Sequence, residues 1–282
     1  MMGDEMQNKK FFELLSLYPK ALESYCRALK WDYNKFKTCI SDEGISHPDL
    51  YLEDPNRGII EKISQFLEPT NPSSVFIIWD EVGMGKSSIR DFICKSLEKL
   101  PNYKVLIIKD PRLTVIQILK IISGHVDIEK SLSADSVEIR EELKKRLVEI
   151  VSSGVRVVIW IDEAEKIDKS VISELRALSD LRTEDGSKVC KLFLSGTPKL
   201  IKKIEEYLET DQDDVDALDD RVNINTFKLN RWKKEDIVKY WQLISNYCGK
   251  TNPFSQDAAE IVYEVSEGKP RTIAQITKMA IN

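Results

Sequence analysis

The chain of 282 residues contains little of what defines several protein classes. It has only 11 Gly and 10 Pro, which excludes collagen-like and low-complexity chains, and its 42% hydrophobic residues argue against intrinsic disorder. No apolar run approaches the roughly 18 residues that cross a bilayer, and the polar segment Gly3 to Lys10 lacks the apolar core of a signal peptide. We therefore expect a soluble, cytoplasmic protein with no membrane segment.

Cysteine is also scarce, and its spacing excludes two common structural roles. The cysteines never form a C-x-x-C pair, which argues against a zinc site. Their odd number and scattered positions argue against a disulfide framework. We therefore expect five small buried side chains, at Cys26, Cys39, Cys94, Cys190 and Cys248.

Acidic residues outnumber basic ones, 47 to 42, but this excess has a local origin. Nine carboxylates and no Lys or Arg lie between Glu205 and Asp220. Removing these nine charges from the net charge of −5 leaves +4 for the rest of the chain. The overall acidity therefore does not exclude a basic surface elsewhere.

The hydrophobic pattern divides the chain into three regions. Residues 1–57 contain two or three short helical patterns and then an irregular segment between Pro48 and Pro55. Residues 58–230 alternate short apolar runs with amphipathic helices, as a parallel sheet with crossover helices requires. Residues 231–282 contain helical patterns alone. We therefore predict an N-terminal helical region, an α/β domain whose five-stranded parallel sheet is sandwiched by helices, and a small all-helical C-terminal domain.

The pattern gives bounds for each element. Strands are predicted at Val75–Trp79, Lys104–Lys109, Val155–Ile161, Cys190–Leu194 and Thr226–Leu229. Helices of the α/β region are predicted at Gly58–Phe66, Lys86–Leu97, Val115–Ser123, Val137–Ser153, Val171–Asp180 and Lys199–Leu208. The C-terminal helices are predicted at Lys234–Cys248, Ser255–Val265 and Arg271–Ile281, with Ser255 as an N-cap.

A glycine-rich segment between the first strand and the next helix is typical of a P-loop. Its small residues allow backbone N–H groups to surround a phosphate, and the helix N-terminus adds partial positive charge. Lys86 would reach the β- and γ-phosphates, and the Ser87 hydroxyl would bind Mg²⁺. Asp80 stands where a P-loop usually has its first Gly, a departure that we expect the loop to tolerate. The expected nucleotide-binding residues are Glu81, Val82, Gly83, Met84, Gly85, Lys86, Ser87 and Ser88.

An acidic pair, Asp162 and Glu163, comes directly after the third predicted strand. The carboxyl ends of parallel strands face the crevice where ligands bind in open α/β sheets. Asp162 can hold Mg²⁺ through water, and Glu163 can orient and deprotonate the attacking water. Such a pair can also cap a helix, but the preceding P-loop favours the catalytic interpretation.

Three further side chains could complete a catalytic site. Thr197, or as second choice Ser195, follows the fourth strand and could hydrogen-bond the γ-phosphate or the attacking water; the alternative is a turn that caps the next helix. Arg221 precedes the fifth strand, and Arg271 begins the last helix. Lone arginines are usually solvated, so these two gain meaning only from comparison with a family.

These motifs in this order resemble those of AAA+ ATPases. More narrowly, the chain resembles the bacterial group that contains the secretion ATPase ExeA and the transposition ATPases TniB and TnsC, and it is more distantly similar to origin-recognition-type initiator ATPases. The resemblance implies a P-loop NTPase fold with the C-terminal helices as a lid domain. It spans about residues 55–282 and is carried by Glu81–Ser87, Ile161–Glu165, Glu174–Ser179, Asp185–Gly186, Ser195–Leu200, Asp220–Val222 and Ser266–Arg271.

The resemblance implies a role for each matching residue of the α/β region. Lys86 and Ser87 would be the Walker A residues, with ATP and Mg²⁺ as cofactors. Asp162 and Glu163 would be the Walker B pair. Thr197 stands at the position of the first sensor, which is often Gln in ExeA-like proteins.

The resemblance also implies an assembly. Arg221 matches an arginine finger that acts on the nucleotide of a neighbouring subunit, and Arg271 matches a second sensor that acts in cis from the lid. A guanidinium offers a planar fork of donors to phosphate oxygens. If one arginine comes from the next protomer, the site is complete only in a ring or a helical filament of copies of this chain.

Three functions stay open. We favour an ATPase that oligomerises with ATP on duplex DNA and recruits a transposase or other effector protein in transposition or a related mobile-element process. The alternatives are an ExeA-like ATPase that assists assembly of a secretion or envelope complex, and a slowly hydrolysing scaffold. From the sequence we expect neither the transmembrane helix and peptidoglycan-binding module of ExeA-type proteins nor the winged helix of initiators. Candidate DNA contacts, unless they are simply solvated, are Lys109, Arg112, Lys120 and Lys130.

Overall fold

The computed structural model describes residues 23–41, 44–45, 50–52, 54–128, 136–210, 225–249 and 251–281. They fall into two compact units. The first unit consists of the described residues within Met1–Pro55, Gly83–Ser88 and Asn230–Asn282. The second consists of those within Asn56–Val82 and Ile89–Leu229. The three-domain boundaries expected at residues 57 and 230 stay a prediction.

A parallel sheet of five strands forms the centre of the second unit, as the alternating pattern predicts. The strands are β1 (Val75–Trp79), β2 (Tyr103–Ile108), β3 (Arg156–Ile161), β4 (Cys190–Gly196) and β5 (Thr226–Lys228). Their spatial order is β2-β3-β4-β1-β5, and every neighbouring pair is parallel. The carboxyl ends of β3, β4 and β1 therefore lie side by side at one edge of the sheet.

Helices connect the strands and complete the first unit. They are α1 (Tyr33–Cys39), α2 (Arg57–Phe66), α3 (Lys86–Glu98), α4 (Val115–His125), α5 (Ser136–Ser152), α6 (Lys169–Asp180), α7 (Pro198–Thr210), α8 (Lys234–Cys248), α9 (Gln256–Ser266) and α10 (Pro270–Ile281). Residues 23–28 are also helical. From α2 onward, each of these helices begins and ends within two residues of its predicted bounds.

The core of the second unit lies between the sheet and its helices. The central strand β4 is buried along its whole length, which explains why its sequence is mainly apolar, with Lys191 and Ser195 as buried polar exceptions. On one face, Phe193 of β4 stacks on Trp160 of β3 with 4.6 Å between ring centroids. Phe193 also contacts Phe76 of β1 and Phe66 of α2. These rings fix the sheet against α2 through a large buried apolar area.

The first unit has its own core, formed by α1 and the three C-terminal helices. Trp241 of α8 is buried there, and its indole N–H donates to the Thr277 hydroxyl of α10 at 2.9 Å. Ser255 caps α9 as predicted, since its hydroxyl accepts from the Ala258 N–H at 3.2 Å. A short antiparallel pair, Ile40–Ser41 with Gly44–Ile45, interrupts the region predicted as helical, because two-residue strands leave no readable pattern.

All five cysteines are buried and reduced, as predicted from their spacing. Burial raises the pKa of the Cys94 and Cys190 thiols to about 12, so these two stay protonated near neutral pH. Within the described residues, no helix combines the length and the hydropathy that a membrane span needs.

Candidate functional site

The P-loop connects β1 to α3, as the sequence predicts. Gly83 and Gly85 have φ angles of +90° and +93°, a region that L-residues with a side chain rarely adopt. Alternating conformations of this kind turn successive N–H groups toward one side of a loop, where they can bind an anion. Helix α3 then begins at Lys86, so its N-terminal N–H groups follow directly.

The carboxylate of Asp80 has a structural role in this loop. Asp80 is 6% exposed, and its Oδ1 accepts a hydrogen bond of 2.7 Å from the Glu81 N–H. Its own N–H donates to the Gly196 carbonyl at 3.2 Å. Asp80 thus holds the turn that a glycine usually makes at this position, which supports the expectation that the loop tolerates it.

Arg271 lies directly against the P-loop within the first unit. Its backbone N–H donates to the Gly83 carbonyl at 3.1 Å, and a Cβ added to Gly83 would approach the Arg271 Cβ to 3.2 Å. Gly268, which precedes Arg271 by three residues, has φ +73° and lies so close to Trp232 that an added Cβ would be 2.2 Å from the Trp232 carbonyl oxygen. The Gly-Lys-Pro-Arg motif therefore fixes Arg271, the second residue of α10, beside the loop.

Asp162 is the centre of a buried polar cluster at the carboxyl end of β3. Its Oδ1 accepts from the Ser195 hydroxyl at 2.7 Å and from the Glu163 N–H at 3.1 Å. Its Oδ2 accepts from the Arg90 guanidinium. Arg90 also donates two hydrogen bonds to Asp91, at 2.8 and 2.9 Å, so a single buried cation bridges two carboxylates.

Glu163 differs from Asp162 in being exposed to solvent. It adopts a left-handed conformation with φ 51°, which is uncommon for a residue with a side chain and concentrates at functional sites. Its carboxylate forms an ion pair with Lys166, three residues further on. The side chain is therefore accessible, and the backbone turn that presents it is costly to maintain.

The two candidates for the first sensor have different surroundings. Ser195 is fully buried and links Asp162 to the indole N–H of Trp160, which donates to the Ser195 oxygen at 2.9 Å. The Thr197 hydroxyl is buried and has no hydrogen-bond partner among the described residues, while its backbone N–H donates to Glu165 at 3.3 Å. A free hydroxyl can bond a ligand, so the first choice of Thr197 stays a prediction.

The remaining candidate residues are described only in part. Arg221, Lys130 and the acidic run from Asp211 to Asp220 lie outside the described residues. Arg112 forms a bidentate pair with Asp110 at 2.7 and 2.9 Å, and hydrogen bonds from Arg112 lower the pKa of Asp110 to about 2. Arg112 is thereby neutralised locally, whereas Lys109 is exposed.

Sequence reasoning missed Arg90 and Trp160 as parts of the acidic cluster. Arg90 is separated from Asp162 by 72 positions and lies in a helical pattern where an arginine reads as a surface residue. Its signal was its position one turn after Lys86, on the helix that follows the P-loop. Other motif residues have structural roles, such as the buried Glu174 of α6, which makes two hydrogen bonds of 2.7 Å with Arg140 of α5.

Comparison with known proteins agrees with this geometry. Residues 70–204 match the family model described as an AAA domain. General secretion pathway protein A of Aeromonas hydrophila is 24% identical over 207 residues, which cover 73% of this chain and 36% of that protein. The Aeropyrum pernix ORC2 protein in ADPNP–ADP complexes has a TM-score of 0.60 at 14% identity and covers 81% of this chain and 62% of its own. Drosophila ORC bound to DNA has a TM-score of 0.55 at 16% identity, with 88% and 60% covered.

The strand order, the P-loop between β1 and α3, and the acidic residues after β3 define a P-loop NTPase fold. Residues 70–204 match the AAA domain model, and the chain is similar to the secretion protein and to the ORC proteins. It spans 36% of the length of the secretion relative and 62% and 60% of the two ORC chains. The activities and partners of those whole proteins are therefore proposals for this chain.

Proposed function

We propose that this chain binds ATP with Mg²⁺ and hydrolyses it. The observation that carries the proposal is the conformation of the P-loop, in which Gly83 and Gly85 have positive φ directly before the N-terminus of α3. A Cβ placed on Gly85 would meet no atom within 4 Å, so the loop leaves space where a phosphate would approach its backbone. The residues present fit a nucleotide.

Each side chain has a role that its chemistry allows. Lys86 would neutralise the β- and γ-phosphates, and the Ser87 hydroxyl would be a Mg²⁺ ligand. Asp162 would hold the metal through water, and Glu163, which is exposed, would accept the proton of the attacking water. The bound metal would neutralise charge on the phosphate oxygens.

Two further groups would act on the phosphates. Arg271 would reach them from the lid, where its backbone is fixed to Gly83. The Thr197 hydroxyl has no hydrogen-bond partner among the described residues. It would donate a hydrogen bond to the γ-phosphate or bond the attacking water. Arg221 would supply a guanidinium to the nucleotide of a neighbouring protomer, which makes hydrolysis depend on assembly.

The test separates binding from hydrolysis with single variants. Lys86→Ala should abolish binding of a fluorescent ATP analogue, whereas Lys95→Ala, an exposed lysine of the same helix, should bind normally. Glu163→Gln should bind ATP but release phosphate roughly 10²- to 10⁴-fold more slowly, the usual contribution of a general base. Nucleotide binding by Lys86→Ala at wild-type affinity would refute the P-loop assignment.

Arg221 needs a test of its own. Arg221→Ala should keep ATP binding and lose about 10³-fold or more in hydrolysis, as removal of an arginine finger does. Mixing it with Glu163→Gln, which keeps the arginine, should restore part of the activity if the finger acts between protomers. Normal hydrolysis by Arg221→Ala alone would show that the finger assignment is wrong.

For the cellular process we propose an ATP-gated oligomer, with two candidate partners. The first is duplex DNA, with a transposase or other effector recruited to it. Lys109 and the half-buried Lys120 remain candidate DNA contacts. Arg112 is a weaker candidate, because its guanidinium is paired with Asp110. The second is a secretion or envelope complex, which the 24% identity to General secretion pathway protein A favours.

Electron microscopy of Glu163→Gln can distinguish these partners. Rings or filaments that form with ATP only in the presence of duplex DNA, and that dissolve as salt rises, would support the first. Assembly with ATP that is indifferent to DNA would refute the DNA proposal and leave the secretion candidate. A monomer under every condition would refute the oligomer itself.

A further inference from the structure

A cavity of about 190 Å³ opens at the amino ends of β2, β3 and β4, the sheet edge opposite to Asp162. Its wall is part apolar and part basic. The lining residues are Leu67, Pro69, Tyr103, Val151, Gly154, Arg156, Val157, Val158, Ser187, Lys188 and Lys191. This set contains three cationic side chains and no carboxylate.

Lys191 is the most unusual member, because it is a buried cation with neutral partners. The residue is 7% exposed. Its Nζ donates to the carbonyls of Asn71 at 2.9 Å and Ser73 at 2.6 Å, and it lies 4.8 Å from the centroid of the Phe66 ring. Buried charges in proteins are usually paired with an opposite charge, but Lys191 contacts no carboxylate among the described residues.

Arg156 is a second cation of the same kind. Its Nη1 donates to the Tyr103 hydroxyl at 2.6 Å and to the Leu67 carbonyl at 3.2 Å, both neutral groups. Strand register pairs Tyr103 with Arg156 and Val158 with Lys191. Since residues two apart on a strand share a face, Arg156 and Lys191 are on the same side of the sheet.

The third cation is already compensated. Lys188 donates to Asp180 at 2.9 Å, so it contributes little uncompensated charge. Two positive charges therefore remain at this cavity without a matching anion in the described residues. An anionic ligand would supply the missing counter-charge.

We propose that this cavity is a binding site for a small, doubly charged phosphate-type oxyanion. Arg156 offers a planar fork of donors and Lys191 a compact ammonium, which are the two side chains that suit phosphate oxygens. The cavity is smaller than the roughly 300–1,000 Å³ of sites for drug-sized ligands, so it fits inorganic phosphate or a small phosphate ester and not a nucleotide. Leu67, and Val158 on the same face of the sheet as Arg156 and Lys191, would contact the apolar part of an ester.

The proton affinity of Lys191 fits this proposal. Burial lowers the pKa of Lys191 to about 8, and the positive charges of Lys188, Arg182 and Arg156 add to this shift. A bound anion would raise that pKa again, so binding should take up a proton. Affinity should therefore fall as pH rises from 7 to 9, while Cys190, whose pKa burial raises to about 12, stays neutral.

Sulfate is the best first probe, because its charge of −2 does not change over this pH range. The titration would use the 282-residue chain with Lys86→Ala, which removes binding at the P-loop, and would follow the amide resonances of Gly154 and Ser187 by NMR. Saturable shifts are expected at pH 7, with at least tenfold weaker binding in Lys191→Met and in Arg156→Gln. Lys99→Met, which changes an exposed lysine directly after α3, is the matched control and should bind like the parent.

The outcomes decide the proposal. Shifts that do not saturate, or that persist unchanged in both Lys191→Met and Arg156→Gln, would overturn it. Should Lys191→Met fail to fold, Arg156→Gln alone decides. Inorganic phosphate and glycerol phosphate then distinguish the source of the group, since tighter binding of the ester would identify a small phosphate ester as the ligand and tighter binding of phosphate the free ion.

Discussion

Substitution of Ser195 by alanine should reveal how the acidic cluster is held together. The Ser195 hydroxyl donates to Asp162 at 2.7 Å and accepts from the Trp160 indole at 2.9 Å, and all three side chains are buried. Ser195→Ala removes one oxygen and creates no steric conflict. It leaves a buried indole N–H without a partner and deprives the carboxylate of one donor.

The expected loss of stability follows from these two consequences. A buried donor left without a partner costs about 1–3 kcal/mol, and a hydrogen bond to a charged group contributes about 1.5–3 kcal/mol. The terms share one atom and do not add fully. We therefore expect Ser195→Ala to lower the free energy of unfolding by about 2–4 kcal/mol.

Thr197→Val is the matched control for this prediction. It removes a hydroxyl that has no hydrogen-bond partner among the described residues and keeps the shape of the side chain. Its effect on the free energy of unfolding should therefore lie within about 1 kcal/mol of zero. If Thr197 is the sensor, the same variant should nevertheless hydrolyse ATP more slowly.

Urea denaturation, followed by tryptophan fluorescence, measures the free energy of unfolding of both variants. The dependence of this free energy on urea concentration should be the same in the variants and the parent. A loss below about 1 kcal/mol for Ser195→Ala would mean that the buried hydroxyl does not stabilise Asp162 or Trp160. An equal loss in both variants would refute the reasoning from hydrogen-bond partners. Slow hydrolysis by Ser195→Ala with full activity of Thr197→Val would move the sensor assignment to Ser195.

Two further predictions rest on single contacts. Arg90→Met should destabilise the metal-free protein by about 3–5 kcal/mol, because it removes the guanidinium that pairs with the buried Asp162. Thermal melting should show a smaller deficit when Mg²⁺ and ATP are present, and an equal deficit in both conditions would contradict this. Gly268→Ala should weaken ATP binding and lower the melting temperature, since its Cβ would be 2.2 Å from the Trp232 carbonyl oxygen; Gly58→Ala, whose Cβ would meet nothing within 4 Å, is the control that should melt no lower than the parent.

The fold could be predicted almost completely from the sequence. The central strands of a parallel sheet are covered on both faces, so β1, β3 and β4 read as continuous apolar runs. The P-loop and the acidic pair were equally visible, because glycines with positive φ and carboxylates at strand ends leave local signals. Local chemistry thus predicts the elements, which the structure confirms, and names the residues of a candidate site.

Contacts between distant residues could not be predicted. Lys191 stands in an apolar run that correctly predicts β4, but only the register with β3 and the packing of Phe66 place its ammonium in a cavity with Arg156. In the same way, only the fold brings Arg90 to Asp162. It also shows that the Ser195 hydroxyl bonds Asp162, whereas the Thr197 hydroxyl has no hydrogen-bond partner among the described residues. A pattern along the chain contains no information about which side chains meet across a sheet.

The sheet separates charge along its strands. In β3, Arg156 is the first residue and Asp162 follows the last, so about 3.3 Å per residue puts the two roughly 20 Å apart. Sites more than about 10 Å apart with no shared partners usually behave independently. Glu163→Gln should therefore leave the affinity of the cavity for sulfate unchanged, as reported by the Gly154 amide resonance. Lys191→Met should leave the affinity for ATP unchanged. A change in either would mean that β3 couples the two edges, in which case the oxyanion would act as a regulator of nucleotide binding.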